Sequence, residues 1–301
     1  MTGKRILAVY YSHSGDVEHA IRQLLGPLDG LMDVEVTWLR AEVDPPHPFP
    51  WPMYDFFANC CESIGELPAP LQPTASLKST YDLVVVGWQV WFLRPSPPIR
   101  AILARIGEAG VLRNVPVASL CCCRQMWAAA HARLVRIVSQ AGGRVVGDIV
   151  LQHRGGGRTF VTTPLRLTSR RGSAAEAWRT PFAPGAEVLL DSCAGRLAQW
   201  LSGERTEAAL FAGLTTTARD PRFVWAEAVG DLYMTAWRPL FRRFGRPGQW
   251  TRRPIVHIFT TTLALLVPVV VPVLWTGSWL TGVLARPLAR SPPRKLDVFT
   301  G

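Results

Sequence analysis

The sequence has few acidic residues, almost no lysine and no cysteine motif. Its 301 residues include 22 Asp and Glu against 33 Lys and Arg, which gives a formal net charge of +11. Only Lys4, Lys78 and Lys295 are lysines. The 6 cysteines form no C-x-x-C pair and no zinc-type spacing with histidine, which excludes a disulfide framework and a zinc module. We therefore expect reduced, buried thiols and no metal site.

The positive charge is concentrated near the end of the chain. Residues 219–301 hold 12 basic and 4 acidic residues, whereas residues 1–218 hold 21 and 18. A nucleic-acid-binding domain usually spreads positive charge over the folded surface that faces phosphate. Here the arginines flank an apolar segment instead. The sequence therefore predicts no nucleic-acid partner.

The apolar segment, residues 255–285, contains no Asp, Glu, Lys or Arg. An uncharged apolar stretch of about 18 residues or more is typical of a membrane segment, whereas a buried core helix is usually shorter and has a polar face. Pro268 and Pro272 lie at its centre, where proline bends or breaks a helix. Two arrangements remain open: one kinked, tilted span and a re-entrant hairpin.

Basic residues on both sides of this segment favour the hairpin slightly, because positive charge prefers the cytoplasmic side of a membrane. The apolar run 6–11 is too short for a secretory signal. We therefore expect the protein at the cytoplasmic face of the inner membrane, anchored by residues 255–285. Residues 225–244 mix aromatics with arginines, which is typical of an interfacial amphipathic helix but also of a helix packed on the domain.

Apolar runs and helical spacings alternate along the first 200 residues. Strands are predicted at residues 5–11, 34–39, 83–88, 116–120 and 144–151, and helices at 17–25, 99–106, 127–139 and 186–201. This alternation predicts an α/β fold, a five-stranded parallel sheet with helices on both faces. Ligands of such sheets bind outside the carboxyl ends of the strands. The loops after the first, third and fourth strands are therefore the candidate site.

The chain divides into three predicted parts. Residues 1–205 form the α/β domain, residues 206–250 a basic amphipathic linker, and residues 251–301 a membrane-embedded segment with a basic tail. Two stretches interrupt the domain. Residues 41–80 are rich in proline and aromatics and are interpreted as a loop that covers the site or a sheet edge. Residues 153–184 are interpreted as an exposed loop.

The first candidate loop follows a strand and opens a helix, where free backbone N–H groups can hold a phosphate. Its residues are Ser12, His13, Ser14, Gly15, Asp16 and Val17. It has neither the Gly-Lys-Ser/Thr of a nucleotide-binding P-loop nor a G-x-G-x-x-G fingerprint. An ordinary polar turn with a serine cap is the alternative interpretation.

The other two loops are rich in aromatics and cysteine, and aromatic rings suit stacking on a flat ligand as well as core packing. The second loop contributes Trp88, Gln89, Val90, Trp91 and Phe92. The third loop contributes Cys122, Arg124 and Trp127.

Taken together, the three loops resemble those of the flavodoxin-like fold. Ser12, Ser14 and Gly15 match its T-x-T-G phosphate motif, and residues 88–92 match its loop against the flavin ring. Val17 departs from the family pattern, because flavodoxins often carry a hydroxyl or amide residue there. The resemblance implies FMN as cofactor, held by the residues of the three loops, with NAD(P)H as an electron partner to consider.

A narrower resemblance extends over nearly the whole chain, in the segments VYYSHSGDVE, FPWPMYDFF, QVWFLRPSPP, CRQMW and FVTTP and in the basic, hydrophobic C-terminus. These segments are similar to a bacterial flavodoxin-like family known as dialkylresorcinol-condensing enzymes, which accompany aryl polyene and dialkylresorcinol biosynthesis. The resemblance implies oxidation of a dialkylcyclohexanedione to a dialkylresorcinol. It also implies a ketosynthase partner, a lipophilic substrate and a membrane location.

For such a reaction His153 and His131 are candidate bases and Arg124 is a candidate partner for enolate charge. A histidine such as His131 on an amphipathic helix is more often structural. Two alternatives stay open: a quinone or NAD(P)H reductase on the same scaffold, and a flavin-free scaffold that anchors a biosynthetic complex at the membrane. A homodimer is also considered.

Overall fold

The computed structural model describes residues 3–29, 31, 33–48, 51–73, 77–78, 80–154, 182–214, 216–217, 220 and 223–285. Its strands are β1 Lys4–Tyr10, β2 Val34–Arg40, β3 Leu83–Trp91, β4 Arg94–Pro95, β5 Pro116–Cys123 and β6 Arg144–Gln152. Its helices are α1 Asp16–Leu25, α2 Met53–Ile64, α3 Pro97–Glu108, α4 Ala128–Gln140, α5 Ala186–Leu201, α6 Val224–Phe244 and α7 Arg252–Ala285. The motif FVTTP, most of the loop 153–184 and the basic tail lie outside the described residues.

Five strands form a parallel sheet in the order β2-β1-β3-β5-β6. The short strand β4 pairs antiparallel with the end of β3. Without β4, this is the 2-1-3-4-5 order of the flavodoxin-like doubly wound fold, in which the strand order reverses between the first and third strands. The predicted fold class is therefore confirmed. The candidate loops lie at the carboxyl ends of the strands, around the point between β1 and β3 where the strand order reverses.

Both faces of the sheet are covered by helices. Helices α3 and α4 bury one aliphatic core with residues such as Leu7, Val86 and Ile102, all at 0% exposure. Helices α1 and α5 bury the other core against Ile6 and Leu120. Continuous apolar runs in the strands are the consequence, because each strand is buried on both sides.

A third cluster lies outside these two faces. Helices α2, α6 and α7, called the helical layer below, pack together and bury Cys61, Phe241, Val256 and Phe259 at 0% exposure. The layer meets the sheet at the β3–β4 hairpin, whose tip residue Leu93 belongs to the same cluster. The C-terminal helices are therefore packed against the domain rather than separated from it.

Helix α2 was missed by the sequence analysis, which interpreted all of residues 41–80 as a loop. Proline brackets the helix, and Pro52 stands at its N-cap position. Its apolar face is completed by α6, α7 and the β3–β4 hairpin, which lie elsewhere along the chain, so the local sequence gives an ambiguous pattern. Residues 206–250, expected to be a basic amphipathic linker, contain α6, which buries Glu227, Met234 and Phe241. Of the two interpretations of residues 225–244, the helix packed on the domain is the one that the structure shows.

Helix α7 runs without a break through Pro268 and Pro272. A re-entrant hairpin needs a break at these prolines, so the favoured hairpin arrangement is not the one that the structure has. Of the described residues, one helix is long and apolar enough to cross a membrane by length and composition, with its apolar window at Arg252–Val270 and a mean hydropathy of 1.6.

Candidate functional site

The β1–α1 loop has the backbone of an anion-binding turn but carries its own carboxylate. Gly15, with φ 87°, takes the left-handed conformation that opens α1. The Ser12 side chain is 3% exposed, and its hydroxyl has no hydrogen-bond partner among the described residues. The Ser14 hydroxyl donates to Asp16 Oδ2 at 2.9 Å. Asp16 is 7% exposed, so this negative charge is held inside the loop.

Val17, the departure from the flavodoxin pattern, packs in the core. It is 1% exposed, and a Cβ added at Gly87 of β3 would lie 2.9 Å from Val17 Cγ1. Helix α1 therefore crosses β3 at a position where only glycine fits. Close packing of α1 on the sheet is the physical reason for an aliphatic residue here.

An aromatic cluster that the sequence analysis did not assemble covers this loop. The His13 ring lies 4.6 Å from the Trp51 ring and 5.9 Å from the Trp91 ring, measured between centroids. His47 lies 5.5 Å from Trp91, and Tyr11 lies 5.8 Å from Trp91. His47 and Trp51 thus cover the loop, which was one of the two roles expected for residues 41–80. The repeated aromatics of residues 47–57 were the available signal.

Burial keeps both histidines of this cluster neutral. It lowers the pKa of His13 to about 3, with a smaller contribution from neighbouring His47. Burial also lowers the pKa of His47. The Tyr11 hydroxyl lies 3.4 Å from His13 Nδ1. His13 therefore points into the aromatic cluster, and its neutral ring adds no positive charge for a phosphate.

The second predicted loop is mostly strand. Trp88 is 0% exposed in the core under α3 and α4, and its indole N–H donates to Ser119 Oγ at 2.9 Å. In this position Trp88 cannot stack on a ligand. Val90 pairs with Pro95, and Trp91 pairs with Arg94. Strand β3 continues to Trp91, past the end predicted at residue 88, because the aromatic residues interpreted as a ligand loop are part of the strand.

The tip of this hairpin is Phe92–Leu93, both in the left-handed conformation with φ 50° and 59°. This pair of angles belongs to a tight two-residue turn that usually contains asparagine or glycine. Phe92 and Leu93 contact the helical layer instead of a ligand. The packing of these two apolar side chains is what holds the strained turn.

The third predicted loop is also shorter than expected, because β5 continues through Cys123. Cys122 is 3% exposed, and burial, followed by the charge of Asp16, raises its thiol pKa well above the ordinary value. A protonated, buried thiol packs and does not react. Arg124 remains in the turn that follows β5, half-buried, and Trp127 precedes α4 at 8% exposure.

The two candidate bases lie in different places. His153 is brought to the first loop, with Nε2 at 3.7 Å from Asp16 Oδ2 and its ring stacked on Phe182 at 4.8 Å. His131 Nε2 lies 2.6 Å from Asp148 in the middle of β6, which ties α4 to the sheet, and the His131 ring lies 5.7 Å from the ring of Trp127. The contact with Asp148 is the arrangement expected of a structural histidine, and the catalytic role of His131 stays a prediction.

Buried polar atoms at the three loops lack partners. Besides Ser12 Oγ, these include Gln89 Nε2 at the end of β3 and Trp127 Nε1 after β5, with no partner among the described residues. His47 Nε2 and Trp51 Nε1 add two more from the covering segment. A buried polar atom without a partner costs free energy of about 1–3 kcal/mol, so this edge suits a ligand that can hydrogen-bond.

The clefts that the structure shows lie elsewhere. One, of about 640 Å³, is lined by Tyr54, Trp250 and Arg253 at the α6–α7 turn. The other, of about 560 Å³, lies beside Lys4 and Asp82. Neither cleft is lined by a residue that carries one of these orphaned atoms.

The strand order and the β1–α1 turn define a flavodoxin-like fold with a candidate anion-binding loop. No protein-family model matches the chain, and no curated protein does. A flavoprotein from Lactobacillus acidophilus, solved in complex with FMN, is similar over 49% of this chain and 93% of its own, at 20% identity and TM-score 0.40. Oxidised flavodoxin 1 from Bacillus cereus is similar over 56% and 100%, at 15% identity and TM-score 0.32. The fold assignment rests on the strand order and not on these similarities.

Proposed function

We propose that the protein is a membrane-associated, FMN-dependent oxidoreductase that acts on a lipophilic ring substrate. The observation that carries this proposal is that buried donors without a partner among the described residues converge at the β1–β3 reversal. Ser12, Gln89 and Trp127 each supply one, from three different loops. In a doubly wound sheet this edge is where a flavin mononucleotide binds.

The residues fit this group with one exception. Ser12 and the left-handed Gly15, at the start of α1, would hold the phosphate, because the helix N-terminus presents free N–H groups there. Gln89 and Trp127 would donate to the carbonyl and nitrogen acceptors of the ring system. The exception is Asp16, whose carboxylate opposes a phosphate in the same loop. His153, beside Asp16, is the group placed to offset that charge when protonated.

When bound, FMN supplies a two-electron acceptor. The chain supplies the environment around it. Tyr11, Trp51 and Trp91 exclude water from the loop, because their rings pack edge to face over it. Burial lowers the pKa of His13 to about 3, so its ring stays neutral at neutral pH and is a weak base there.

The finer proposal is aromatisation of a dialkylcyclohexanedione to a dialkylresorcinol, supported by the motif resemblance described above. The ring loses two hydrogens overall, and its protons beside the carbonyls are acidic enough for a side-chain base to remove. A ketosynthase that makes the dione is the corresponding partner. The dialkylresorcinol product is lipophilic, which accounts for attachment of the protein to a membrane.

Attachment is assigned to α7, at the cytoplasmic face of the inner membrane. Leu265, Val269 and Val273 are each at least 64% exposed in this helix. Apolar side chains exposed in a row are costly in water and favourable in lipid. This exposure supports membrane association.

A second candidate is a flavin-free scaffold that anchors a biosynthetic complex. It is favoured by Asp16 inside the phosphate loop and by the closed aromatic cluster above it. The two candidates differ in whether the loop binds FMN at all.

Detergent-purified full-length protein, titrated with FMN and followed by visible absorbance and flavin fluorescence, separates them. We expect tight binding, and Ser12→Ala should weaken it about tenfold to hundredfold, since a hydrogen bond to a charged group contributes about 1.5–3 kcal/mol. Ser63→Ala is the matched control. Ser63 lies on α2, is also buried, and its hydroxyl also has no hydrogen-bond partner among the described residues. Absence of FMN binding by the folded wild type would reject the flavoenzyme and support the scaffold.

Substrate assignment needs a separate assay. With FMN bound, oxidation of a dialkylcyclohexanedione is compared with NAD(P)H-driven quinone reduction. Faster dione oxidation supports the aromatase, and faster quinone reduction assigns a reductase instead.

Membrane association is tested by truncation after Leu263. This cut keeps Val256 and Phe259, which are part of the helical layer, whereas removal of all residues from 250 onward would expose that layer. The truncated protein should stay in the supernatant while the full chain sediments with membranes.

A further inference from the structure

Helix α7 has two parts with different surroundings. Its first three turns pack on the protein, where Val256 and Phe259 are fully buried and Leu263 contacts the same cluster. From residue 264 onward the described side chains are mostly exposed, with Leu265 at 69% and Val269 at 66%. The free part, residues 264–285, is about 33 Å long at ~1.5 Å per residue. That length matches a hydrocarbon core of about 30 Å.

The departure point of α7 can be placed against α6. The two helices run antiparallel, since Phe259 contacts both Trp237 and Phe241 while Thr262 Oγ1 lies 2.6 Å from the Tyr233 hydroxyl. Residue 264 is therefore level with the N-terminal half of α6. The arginine-rich turn between the helices, with Arg252, lies about 18 Å back along α7.

The N-terminal half of α6 carries an apolar stripe at that level. Trp225, Val229 and Leu232 lie on one helix face at spacings of four and three and are 51%, 37% and 72% exposed. The exposed positions of α6 from Val224 to Leu240 carry no charge. Tryptophan beside aliphatic residues is the composition of a helix surface at a membrane interface.

The same half of α6 holds the carboxyl edge of the sheet. Glu227, 2% exposed, accepts the Ala129 N–H at the start of α4 at 2.6 Å. Asp231 pairs with Arg94 of the hairpin and with Arg133 of α4. A rigid connection thus joins the stripe to the elements that carry the orphaned donors.

We propose that the stripe Trp225–Val229–Leu232 is a second bilayer contact, which seats the carboxyl edge of the sheet on the membrane surface. The occupant is the lipid interface, because the stripe is level with the point where apolar α7 leaves the protein. The arginine-rich turn then lies away from the lipid, and a lipophilic substrate reaches the edge from the bilayer. This inference rests on the membrane attachment proposed for α7.

Single introduced cysteines test it in the full chain. Leu232→Cys, Leu265→Cys and Trp250→Cys are labelled with an environment-sensitive NBD fluorophore in phosphatidylethanolamine–phosphatidylglycerol vesicles. All three positions are exposed, at 72%, 69% and 86%. The native cysteines are buried, and burial raises the thiol pKa of Cys60, Cys121 and Cys122, so labelling is selective.

Nitroxide lipids labelled at the headgroup should quench NBD at position 232 several-fold more than NBD at position 250, and acyl-chain nitroxides should quench position 265. If 265 is quenched but 232 is quenched no more than 250, the stripe proposal is wrong and the attachment stands. If 265 is not quenched either, the proposed attachment fails. If NBD at position 232 is not quenched by the nitroxide lipids, and two copies of the Leu232→Cys variant crosslink efficiently through position 232, the stripe contacts a second copy. That result also overturns the proposal.

Discussion

The sheet and the helical layer are built from different kinds of side chain. The sheet cores are mainly aliphatic, with residues such as Val84, Val85 and Ile102 at 0% exposure. The helical layer combines edge-to-face aromatics, as in Phe241 and Phe259 at 5.2 Å, with half-buried arginines such as Arg252. Arg252 donates to Glu62 at 2.6 Å and to the Gly245 carbonyl at 2.7 Å, so its charge and its donors are satisfied.

The difference shows how two kinds of core specify their partners. Aliphatic packing depends mainly on volume and pattern, whereas a buried ion pair tolerates few alternative partners. The sheet can therefore form from its local pattern, while the layer requires three particular helices. Four predictions test whether the two regions behave as separate units.

The largest effect is expected within the layer. Phe259→Ala should cost about 3–5 kcal/mol, because it removes a fully buried ring from the centre of the cluster. Hydrogen exchange in detergent should show loss of protection in α2 and α6 with β1 and β3 unchanged. Leu265→Ala, at a 69% exposed position, is the control and should change little. Equal loss in the sheet would mean that the two regions unfold together.

The converse experiment perturbs the sheet. Gly87→Ala should cost about 1–3 kcal/mol, since the new Cβ would lie 2.9 Å from Val17 and 3.1 Å from Ile21. Gly195→Ala on α5 meets nothing within 4 Å and should instead stabilise by about 0.5–1 kcal/mol. Urea midpoints measure both. A neutral result for Gly87→Ala would contradict the close crossing of α1 over β3.

The aromatic cluster makes the domain acid-sensitive. The pKa of His13 is lowered from 6.5 to about 3, so its stabilising contribution is full above pH 6.5 and is lost as the pH falls toward 3. Between pH 7 and pH 5 the wild type should lose about 2 kcal/mol through this group. His13→Phe should remove that loss, and His19→Gln, on the exposed face of α1, should keep it. Urea unfolding at the two pH values measures the difference.

The smallest effect concerns the junction between the regions. Glu227→Ala should cost about 1 kcal/mol, because the Ala129 N–H at the start of α4 loses its acceptor. Glu227→Gln retains an acceptor oxygen and should cost less. Hydrogen exchange of the first turn of α4 measures both. Unchanged exchange in the alanine variant would show that α6 does not hold the sheet edge.

The sequence was sufficient for the sheet but not for the layer. All five parallel strands and the helices α1, α3, α4 and α5 were predicted, because apolar runs and helical spacing reflect burial within each segment. Helix α2 was missed because its partners, α6 and α7, lie far along the chain. A local pattern contains no information about such contacts.

The candidate site was predicted only in part, for a related reason. The β1–α1 loop and its neighbour His153 were found from residue type and from the strand-end rule. Trp88 was misplaced, because a tryptophan at the end of a strand has the same local sequence whether it faces a ligand or the core. His47 and Trp51 were missed as site residues because the expected covering role of residues 41–80 did not show which of their side chains reach the first loop.

The ion pair between Arg252 and Glu62 spans 190 residues, and this separation has a consequence for synthesis. Translation proceeds from the N-terminus, so α2 leaves the ribosome long before α6 and α7 exist. Its buried face, with Cys60, Cys61 and Ile64, stays uncovered while the whole sheet is being made. The nascent chain therefore passes through a long interval with this apolar face uncovered, and that interval ends only when the last apolar helix emerges.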